Sequence, residues 1–252
     1  MDRNPCVILF LKAPEKGRVK TRLAASLGEE MVVDLYRCFV EDSIQTIIRG
    51  GYEMLIFYDP PSAHPWISQW LGERHPLLPQ NGVDLGERMQ NAFRMVFSRG
   101  CCAALIVGSD TPDLPGRFYG EALAALRDHD VVVGPAHDGG YYLIGFRRET
   151  FLPDAFVGIA WSAPEVFTRT LVILRNSGRR VHLLPPWWDV DTIEDLRALA
   201  SRNGDTSFSG SATMTRLGEA YGPAGIPEQS SGQTMRKDRS NGSKKEKAIE
   251  PF

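Results

Sequence analysis

The sequence has few of the features that mark metal-binding, secreted or membrane proteins. Its four cysteines, Cys6, Cys38, Cys101 and Cys102, form no C-x-x-C pair, which argues against a zinc site and favours a reducing compartment. No segment approaches the ~18 consecutive apolar residues of a membrane span. The first residues also lack the basic-then-apolar order of a signal peptide. We therefore expect a cytoplasmic protein with no membrane partner.

Two familiar nucleotide-binding signatures are also missing. The chain contains no G-x-x-x-x-G-K-[ST] motif and no G-x-G-x-x-G motif that opens a helix. Their absence argues against the P-loop and dinucleotide-binding folds. The formal net charge of −2 gives no basic excess of the kind that binds nucleic acid.

The chain does contain a regular alternation of strand-like and helix-like segments. Its 252 residues are 42% hydrophobic, which suits one α/β domain with a sizeable core. Apolar runs predict strands at 6–11, 54–58, 103–107, 131–133, 139–146 and 181–184. Helical spacing predicts helices at 31–49, 84–99, 117–128, 164–176 and 192–201. This order predicts a three-layer α/β/α fold with a mostly parallel sheet.

The composition changes after Asn203. Residues 204–252 are rich in Gly, Ser, Thr and Pro and poor in branched apolar residues, which predicts a flexible tail. We therefore expect a catalytic domain at 1–203 and a tail at 204–252. Acidic Asp238 and Glu246 interrupt the basic residues of the tail, which favours a solvated segment over a nucleic-acid site.

Two short loops carry pairs of carboxylates. Asp110 and Asp113 follow the predicted strand 103–107, and Asp189 and Asp191 precede the predicted helix that starts at Thr192. Open α/β sheets bind ligands at the carboxyl ends of their strands, and carboxylate oxygens suit Mg²⁺ or Mn²⁺. The other interpretation is helix capping. Asp110 directly follows its strand, and the Asp-Val-Asp alternation puts both carboxylates on one side of an extended chain, so we favour a metal role for Asp110, Asp189 and Asp191.

A basic loop follows the first strand, from Lys12 to Arg22. Lys16 and Arg18 have the character of ordinary surface charge. Lys20 and Arg22 lie where a helix is expected to begin, and backbone N–H groups favour an anion there. Arg22 can also bind a phosphate with two hydrogen bonds. We therefore expect Lys20 and Arg22 to contact ligand phosphates.

The segment Asp138-Gly139-Gly140 is a third candidate site. The two glycines permit close approach of the backbone to a ligand, or they mark only a tight turn. Trp161 and Ser162 are candidates for the wall of an acceptor pocket, although core packing explains the tryptophan equally well.

Six ordered motifs within residues 5–200 together resemble one family. They are Lys12-x-Pro14-x-x-Gly17-x-Val19-Lys20-Thr21-Arg22-Leu23, Asp84-Leu85-Gly86-Glu87-Arg88-Met89, Gly108-Ser109-Asp110-x-Pro112-x-Leu114, Gly134-Pro135-x-x-Asp138-Gly139-Gly140-Tyr141-Tyr142-Leu143-Ile144-Gly145, Ile159-x-Trp161-Ser162 and Asp189-Val190-Asp191-Thr192. This combination resembles the selenodomain-associated, glycosyltransferase-like transferases of the nucleotide-diphospho-sugar transferase (GT-A) superfamily. It is distantly similar to phospholactate guanylyltransferase.

The resemblance implies a GT-A-like fold, a metal role for Asp110 and Asp191, and phosphate contacts from Lys20 and Arg22. Within its motifs we also expect Lys12, Pro14 and Ser109 to bind the nucleotide. Ile193 stands where relatives often have proline, and the first loop lacks the Gly-Gly-x-Gly pattern of sugar nucleotidylyltransferases. The second departure leaves the base and the activated group open.

These residues lead us to expect a Mg²⁺-dependent (or Mn²⁺-dependent) nucleotidyltransferase that joins a nucleotide to a phosphorylated small molecule. Lys20 and Arg22 would hold the triphosphate, and the loop of Asp138, Gly139 and Gly140 with Trp161 and Ser162 would shape the acceptor pocket. One alternative is a glycosyltransferase with a nucleotide-diphospho-sugar donor, for which Asp138 is the candidate base. Another is a nucleotide-binding regulatory protein without turnover.

Overall fold

A computed structural model describes residues 4–161, 163–222 and 225–226, which fold around one seven-stranded sheet. The strands are β1 Cys6–Lys12, β2 Glu53–Asp59, β3 Leu77–Pro79, β4 Ala103–Gly108, β5 Val131–Pro135, β6 Tyr141–Arg147 and β7 Val181–Leu183. The helices are α1 Thr21–Leu27, α2 Glu29–Arg49, α3 His64–Leu71, α4 Leu85–Ser98, α5 Gly116–Ala125, α6 Val166–Asn176, α7 Ile193–Asn203 and α8 Ala212–Tyr221.

The sheet is mostly parallel, in the order β3-β2-β1-β4-β6-β5-β7. Only β6 runs antiparallel to its neighbours β4 and β5. From β1 the chain builds outwards through β2 and β3, and it then returns to the other side of β1 with β4. The strand order therefore reverses between β1 and β4, and the crevice at the carboxyl ends of such strands is where open α/β sheets bind ligands.

Alternating side chains of β1 feed two separate cores, one on each face of the sheet. Val7, Leu9 and Leu11 pack in the core beneath α1, α2, α3, α5, α7 and α8. Ile8 and Phe10 pack in the other, beneath α4 and α6. Because neighbouring residues of a strand point to opposite faces, an unbroken apolar strand requires helices on both sides. The three-layer α/β/α architecture predicted from the sequence is confirmed.

Most predicted elements are present with ends within a few residues of those expected. The helix predicted at 31–49 ends at Arg49, and Asp84 caps α4 by accepting the backbone N–H of Glu87 at 2.8 Å. Helix α3 and strand β3 were not predicted, and they have only 8 and 3 residues. Short elements present too few turns or alternations for a periodic pattern to be visible.

The predicted start of the flexible tail at residue 204 is wrong for residues 204–222. Helix α8 packs on α2 and buries Thr213 and Leu217. The Asp42 carboxylate on α2 accepts the backbone N–H groups of Ala212 and Thr213, both at 2.9 Å. A carboxylate at a helix N-terminus satisfies N–H groups that have no partner within the helix. Residues 227–252 lie outside the described part, so their flexibility stays a prediction.

Within the described residues, no helix is both long enough and apolar enough to cross a lipid bilayer.

Candidate active site

Three loops meet at the carboxyl edge of the sheet, beside the point where the strand order reverses. The first follows β1, the second follows β4, and the third connects β7 to α7. The backbone N–H of Val190 donates to the carbonyl oxygen of Asp110 at 2.9 Å, which joins the second loop to the third. The two carboxylate loops identified from the sequence are therefore neighbours in space.

The ammonium of Lys20 lies between these loops. Its Nζ atom is 2.6 Å from Oδ1 of Asp110 and 2.7 Å from Oδ1 of Asp191. Only 4% of the lysine side chain is exposed. Burial opposes its charge, but the two carboxylates outweigh that effect and raise the pKa of Lys20 above its ordinary value. Lys20 is therefore a charged group held inside the site.

Arg22 lies at the open side of the same cluster. Its Nη2 atom donates to Oδ2 of Asp191 at 2.7 Å, while 68% of its side chain is exposed. Burial disfavours the charge on Asp191, but Lys20 and Arg22 more than compensate and lower the pKa of that carboxyl. The guanidinium is thus fixed at one end and accessible to an anion from solvent.

The remaining basic residues of the first loop form surface ion pairs. Lys16 pairs with Glu30 at 2.7 Å and Arg18 pairs with Glu15 at 3.1 Å, all four being exposed. This is the ordinary surface role expected for them. Such exposed pairs contribute little to stability.

Two further carboxylates add negative charge beside the cluster. Burial, reinforced by the negative charges of Asp138 and Asp191, raises the pKa of Asp189 to about 6. Asp138 is exposed, and its Oδ1 accepts the backbone N–H of Gly140 at 2.8 Å. Because these neighbouring carboxylates repel one another, a positive charge beside them is favourable.

The carboxylate oxygens of the cluster suit a hard cation at one position. The described residues contain no cluster of three or more His, Cys, Asp or Glu side chains arranged to hold a metal. Mg²⁺, however, is commonly bound by one or two carboxylates together with substrate phosphates. Oδ1 of Asp110 and Oδ1 of Asp191 already converge on a single positive charge, the ammonium of Lys20. Asp110 and Asp191 are therefore the pair suited to such an ion, with Asp189 beside them.

Asp110, Asp189 and Asp191 do not cap the helices that follow them. Helix α7 is capped by Thr192, which accepts the N–H of Asp195 in a capping box. Helix α5 begins after Pro115 and has no side-chain cap. Asp110, Asp189 and Asp191 are thus available for roles other than capping.

Ser109 lies beneath the cluster. Its hydroxyl is 2.8 Å from the hydroxyl of Tyr36, which also accepts the backbone N–H of Lys12 at 2.9 Å. Burial, with the negative charge of Asp110, raises the pKa of Tyr36 to about 12, so the phenol stays protonated. The hydroxyl of Ser109 is therefore engaged inside the protein, and its contact with a nucleotide stays a prediction.

Lys12 and Pro14 lie at the start of the first loop, where Lys12 is exposed and Pro14 is buried. Their predicted contacts with the nucleotide are not tested by this arrangement. Tyr36, which the sequence analysis did not select, ties this loop to the loop after β4. It lies among apolar residues of α2 at helical spacing, so nothing in the sequence distinguishes it from a core residue.

The glycines after Asp138 serve the packing of their own turn. Gly139 has φ +93°, and a side chain there would overlap the carbonyl oxygen of Pro164. Its own carbonyl accepts the N–H of Phe167 on α6 at 2.9 Å. Of the two interpretations left open by the sequence, the tight turn explains Gly139, while an acceptor contact by Gly139 or Gly140 stays a prediction.

Trp161 belongs to an aromatic cluster. Its ring stacks on Phe156 at 6.4 Å and meets Tyr141 edge-on at 6.5 Å. Its indole N–H is buried and has no hydrogen-bond partner within the described part of the chain. Core packing thus accounts for most of this side chain. Ser162 lies outside the described residues.

A pair of stacked rings borders the two outer carboxylates. His137, next to Asp138, stacks on Trp188, next to Asp189, with 4.5 Å between ring centroids. Trp188 is 44% exposed, and the guanidinium carbon of Arg202 lies 5.5 Å from its ring centre. The sequence offered no signal for this pair, because the two residues are distant in the chain.

A cavity of about 740 Å³ lies away from these loops, between α2, α3 and residues 207–212. Charges of both signs line it, including Glu41, Glu73, Arg49 and Arg74. This mixture indicates no particular class of ligand, and the cavity is separate from the carboxylate cluster.

Comparisons with known proteins identify relatives of the whole fold. Residues 43–163 match the model of a family described as an uncharacterized protein conserved in bacteria, DUF2064. A candidate nucleotide-diphospho-sugar transferase from Desulfovibrio desulfuricans G20, known from its crystal structure, is 41% identical, with a TM-score of 0.83 over 85% of this chain and 94% of that chain. A search of curated proteins gave no match.

More distant structures share the fold alone. A nucleotidyl transferase from Methanothermobacter is 13% identical, with a TM-score of 0.55 over 78% of this chain and 97% of that chain. A CMP:2-keto-3-deoxy-manno-octonic acid synthetase solved with CTP is 14% identical, with a TM-score of 0.51 over 79% of this chain and 99% of that chain. The fold described above is therefore one on which nucleotidyltransferases are built.

Proposed function

The chain belongs to the nucleotide-diphospho-sugar transferase-like (GT-A) family of its Desulfovibrio relative, and on that premise we propose that it is a nucleotidyltransferase that joins a nucleotide to a phosphorylated small molecule. The observation that carries the proposal is the meeting of Lys20 and Arg22 with Asp110 and Asp191 where the strand order reverses. Positively charged side chains that can bind phosphates thus lie in the same site as carboxylates that can bind a divalent ion.

Arg22 and Lys20 bind and orient the triphosphate in this proposal. Arg22 is mostly exposed and anchored by Asp191, so it presents its guanidinium to an incoming anion at little cost in side-chain entropy. Lys20 contributes a charge from a largely dehydrated position, where electrostatic interactions are stronger than in water.

Asp110 and Asp191, with Asp189 beside them, would hold Mg²⁺ or Mn²⁺. Such an ion, when bound, neutralises charge on the transferred phosphate and on the leaving pyrophosphate. The phosphate of the acceptor is already anionic, so the reaction needs no strong general base. In this proposal the loop of Asp138, Gly139 and Gly140, together with Trp161, would shape the acceptor side.

Release of pyrophosphate is the experiment that tests this proposal. The protein is mixed with Mg²⁺, a panel of nucleoside triphosphates and a panel of phosphorylated metabolites. We expect pyrophosphate to form only when triphosphate and acceptor are both present. Saturable triphosphate binding without any product would contradict the proposal and indicate a regulatory nucleotide-binding protein.

A second candidate function is glycosyl transfer from a nucleotide-diphospho-sugar. It is favoured by the 41% identical relative, which is described as a candidate nucleotide-diphospho-sugar transferase. A neutral hydroxyl acceptor requires a base, and Asp138 is exposed beside the cluster. Formation of a nucleoside diphosphate from a nucleotide sugar, abolished by Asp138→Asn, would support this function instead.

A further inference from the structure

The ammonium of Lys20 occupies the point at which two carboxylates from different loops converge. Its Nζ is 2.6 Å from Asp110 and 2.7 Å from Asp191, and only 4% of the side chain is exposed. An ion bound by both aspartates would need the same oxygen atoms. The lysine and a divalent cation therefore compete for one position.

The charges of this inner cluster are already balanced. Asp110 and Asp191 supply two negative charges, and Lys20 and Arg22 supply two positive ones. A divalent cation that enters the position between Asp110 and Asp191 meets the like charges of Lys20 and Arg22, which already pair with these carboxylates. A triphosphate changes this balance, because its oxygens attract Lys20 and Arg22 and leave the carboxylates without their partners.

The backbone of Lys20 supports a functional role for this arrangement. Lys20 has φ 47° and ψ 47°, and no other non-glycine residue in the described part of the chain has a positive φ. This conformation is unfavourable for a residue with a side chain and persists only where surrounding contacts hold it. From this backbone conformation the side chain of Lys20 makes both ion pairs, with Asp110 and with Asp191.

This inference rests on the proposed function, in which the site binds a triphosphate. We propose that Lys20 is an internal cation that holds the Asp110–Asp191 pair in the nucleotide-free protein and leaves it only when triphosphate binds. The pair then becomes available to a divalent cation. Cation and triphosphate bind cooperatively as a result, and each increases the affinity of the other by the same factor.

Titration of the nucleotide-free protein with Mn²⁺, followed through the electron paramagnetic resonance signal of the free ion, tests the proposal. Lys20→Met removes the charge at similar length, and Lys20→Asn removes it with a residue that tolerates positive φ. Arg22→Met is the matched control, because it removes a charge that also contacts Asp191 but is mostly exposed. Circular dichroism checks that each variant is folded.

We expect the wild-type protein to bind Mn²⁺ only weakly and both Lys20 variants to bind at least about tenfold more tightly. Arg22→Met should raise the affinity by less than about threefold, since solvent screens an exposed charge. Equal gains in the Lys20 and Arg22 variants, or no gain in the Lys20 variants, would overturn the proposal.

If a variant fails to fold, the titration of the wild-type protein alone still tests the proposal. Wild-type protein that binds Mn²⁺ tightly without nucleotide would show that Lys20 does not block the pair. Calorimetric titration of the wild-type protein with a triphosphate separates this result from the proposed function. If the wild-type protein does not bind the triphosphate, the proposed function is refuted. If it binds the triphosphate and also binds Mn²⁺ tightly without nucleotide, only the proposed role of Lys20 is refuted.

Discussion

The indole N–H of Trp187 donates to the carboxylate of Asp113 at 3.1 Å and thereby joins the loop before α7 to the loop after β4. Asp113 also accepts hydrogen bonds from Arg202 at 2.7 Å and Asn203 at 2.8 Å, and its side chain is 1% exposed. The two aspartates of the loop after β4 therefore have different roles. Asp113 holds the loops together, and Asp110 faces Lys20.

This division predicts opposite phenotypes for two matched substitutions. Asp110→Asn should reduce transferase activity by about a hundredfold or more while the protein stays folded, because an amide lacks the negative charge that a hard divalent cation requires from its ligand. Asp113→Asn should destabilise the fold by about 3 kcal/mol, because it leaves Arg202 without its buried partner. Activity assays and urea unfolding of both variants measure the two effects. Activity of Asp110→Asn within a few-fold of the parent would exclude its role in the chemistry.

Asp191→Asn should resemble Asp110→Asn and not Asp113→Asn. Thr192 caps α7, so Asp191 is free of that structural duty. Loss of activity with a melting temperature close to that of the parent is the expected result. A large fall in melting temperature with activity preserved would indicate a structural role.

Helix α8 predicts the outcome of two truncations. Removal of residues after Asn203 takes away α8 and exposes the α2 surface that it covers, so this shortened protein should be less stable or insoluble. Removal of residues after Ile226 should leave stability and activity unchanged. Leu217→Ala, a milder test of the same packing, should cost about 2–5 kcal/mol. Thermal and urea unfolding check all three.

The sequence predicted the elements whose hydrophobic pattern is local. It did not predict the contacts between residues that are distant in the chain. The alternation in β1 and the helical spacing of α2 are properties of neighbouring residues, so the layers of the fold were visible. Helix α8 was assigned to the flexible tail because its composition resembles a flexible segment, and the first N–H group of the helix donates to Asp42, 170 residues earlier. Folded context overrides weak local propensity in such cases.

The same distinction applies to the site. The sequence pattern selected Asp110, Asp191, Lys20 and Arg22 as candidates, and the structure places these four side chains together. Their arrangement was not predictable, because Lys20 and Asp191 are 171 residues apart and no local rule specifies that an ammonium lies between the two carboxylates. The support of the first loop by Tyr36 was missed for the same reason.

Asp130 predicts a pH dependence of stability. Burial opposes its charge, but the backbone N–H of Arg180 and the side chains of Arg180 and Arg147 outweigh this and lower its pKa from 3.8 to about 2. Because the pKa of Asp130 is lower in the folded state, its ionised carboxylate stabilises the protein at pH values above the unfolded-state pKa. This contribution is lost as the pH falls towards about 2. The stability difference between the parent and Asp130→Asn should therefore be largest near neutral pH and narrow below about pH 4.

Urea unfolding at several pH values measures this difference. Asp154→Asn, which changes an exposed aspartate, is the control and should leave the pH profile unchanged. A constant difference between the parent and Asp130→Asn at all pH values would show that the ionisation of Asp130 does not contribute.

In the proposed function, Lys20 and Arg22 hold the phosphates of a nucleotide. A thermal-shift screen of nucleotides with and without Mg²⁺ first selects the triphosphate that stabilises the protein most. Calorimetric titration with that triphosphate and with its nucleoside then follows for the parent, Lys20→Ala, Arg22→Ala and Arg22→Lys. Arg18→Ala removes a charge of the same loop that pairs with Glu15 and is the control.

Lys20→Ala and Arg22→Ala should each weaken triphosphate binding by about 1.5–3 kcal/mol, roughly tenfold to a hundredfold, and leave nucleoside binding unchanged. Arg22→Lys should restore only part of the loss, because an ammonium cannot make the two-pronged contact of a guanidinium. Arg18→Ala should have no effect. Unchanged triphosphate affinity in both alanine variants would contradict the assignment of the phosphate site and, with it, the proposal of nucleotidyl transfer.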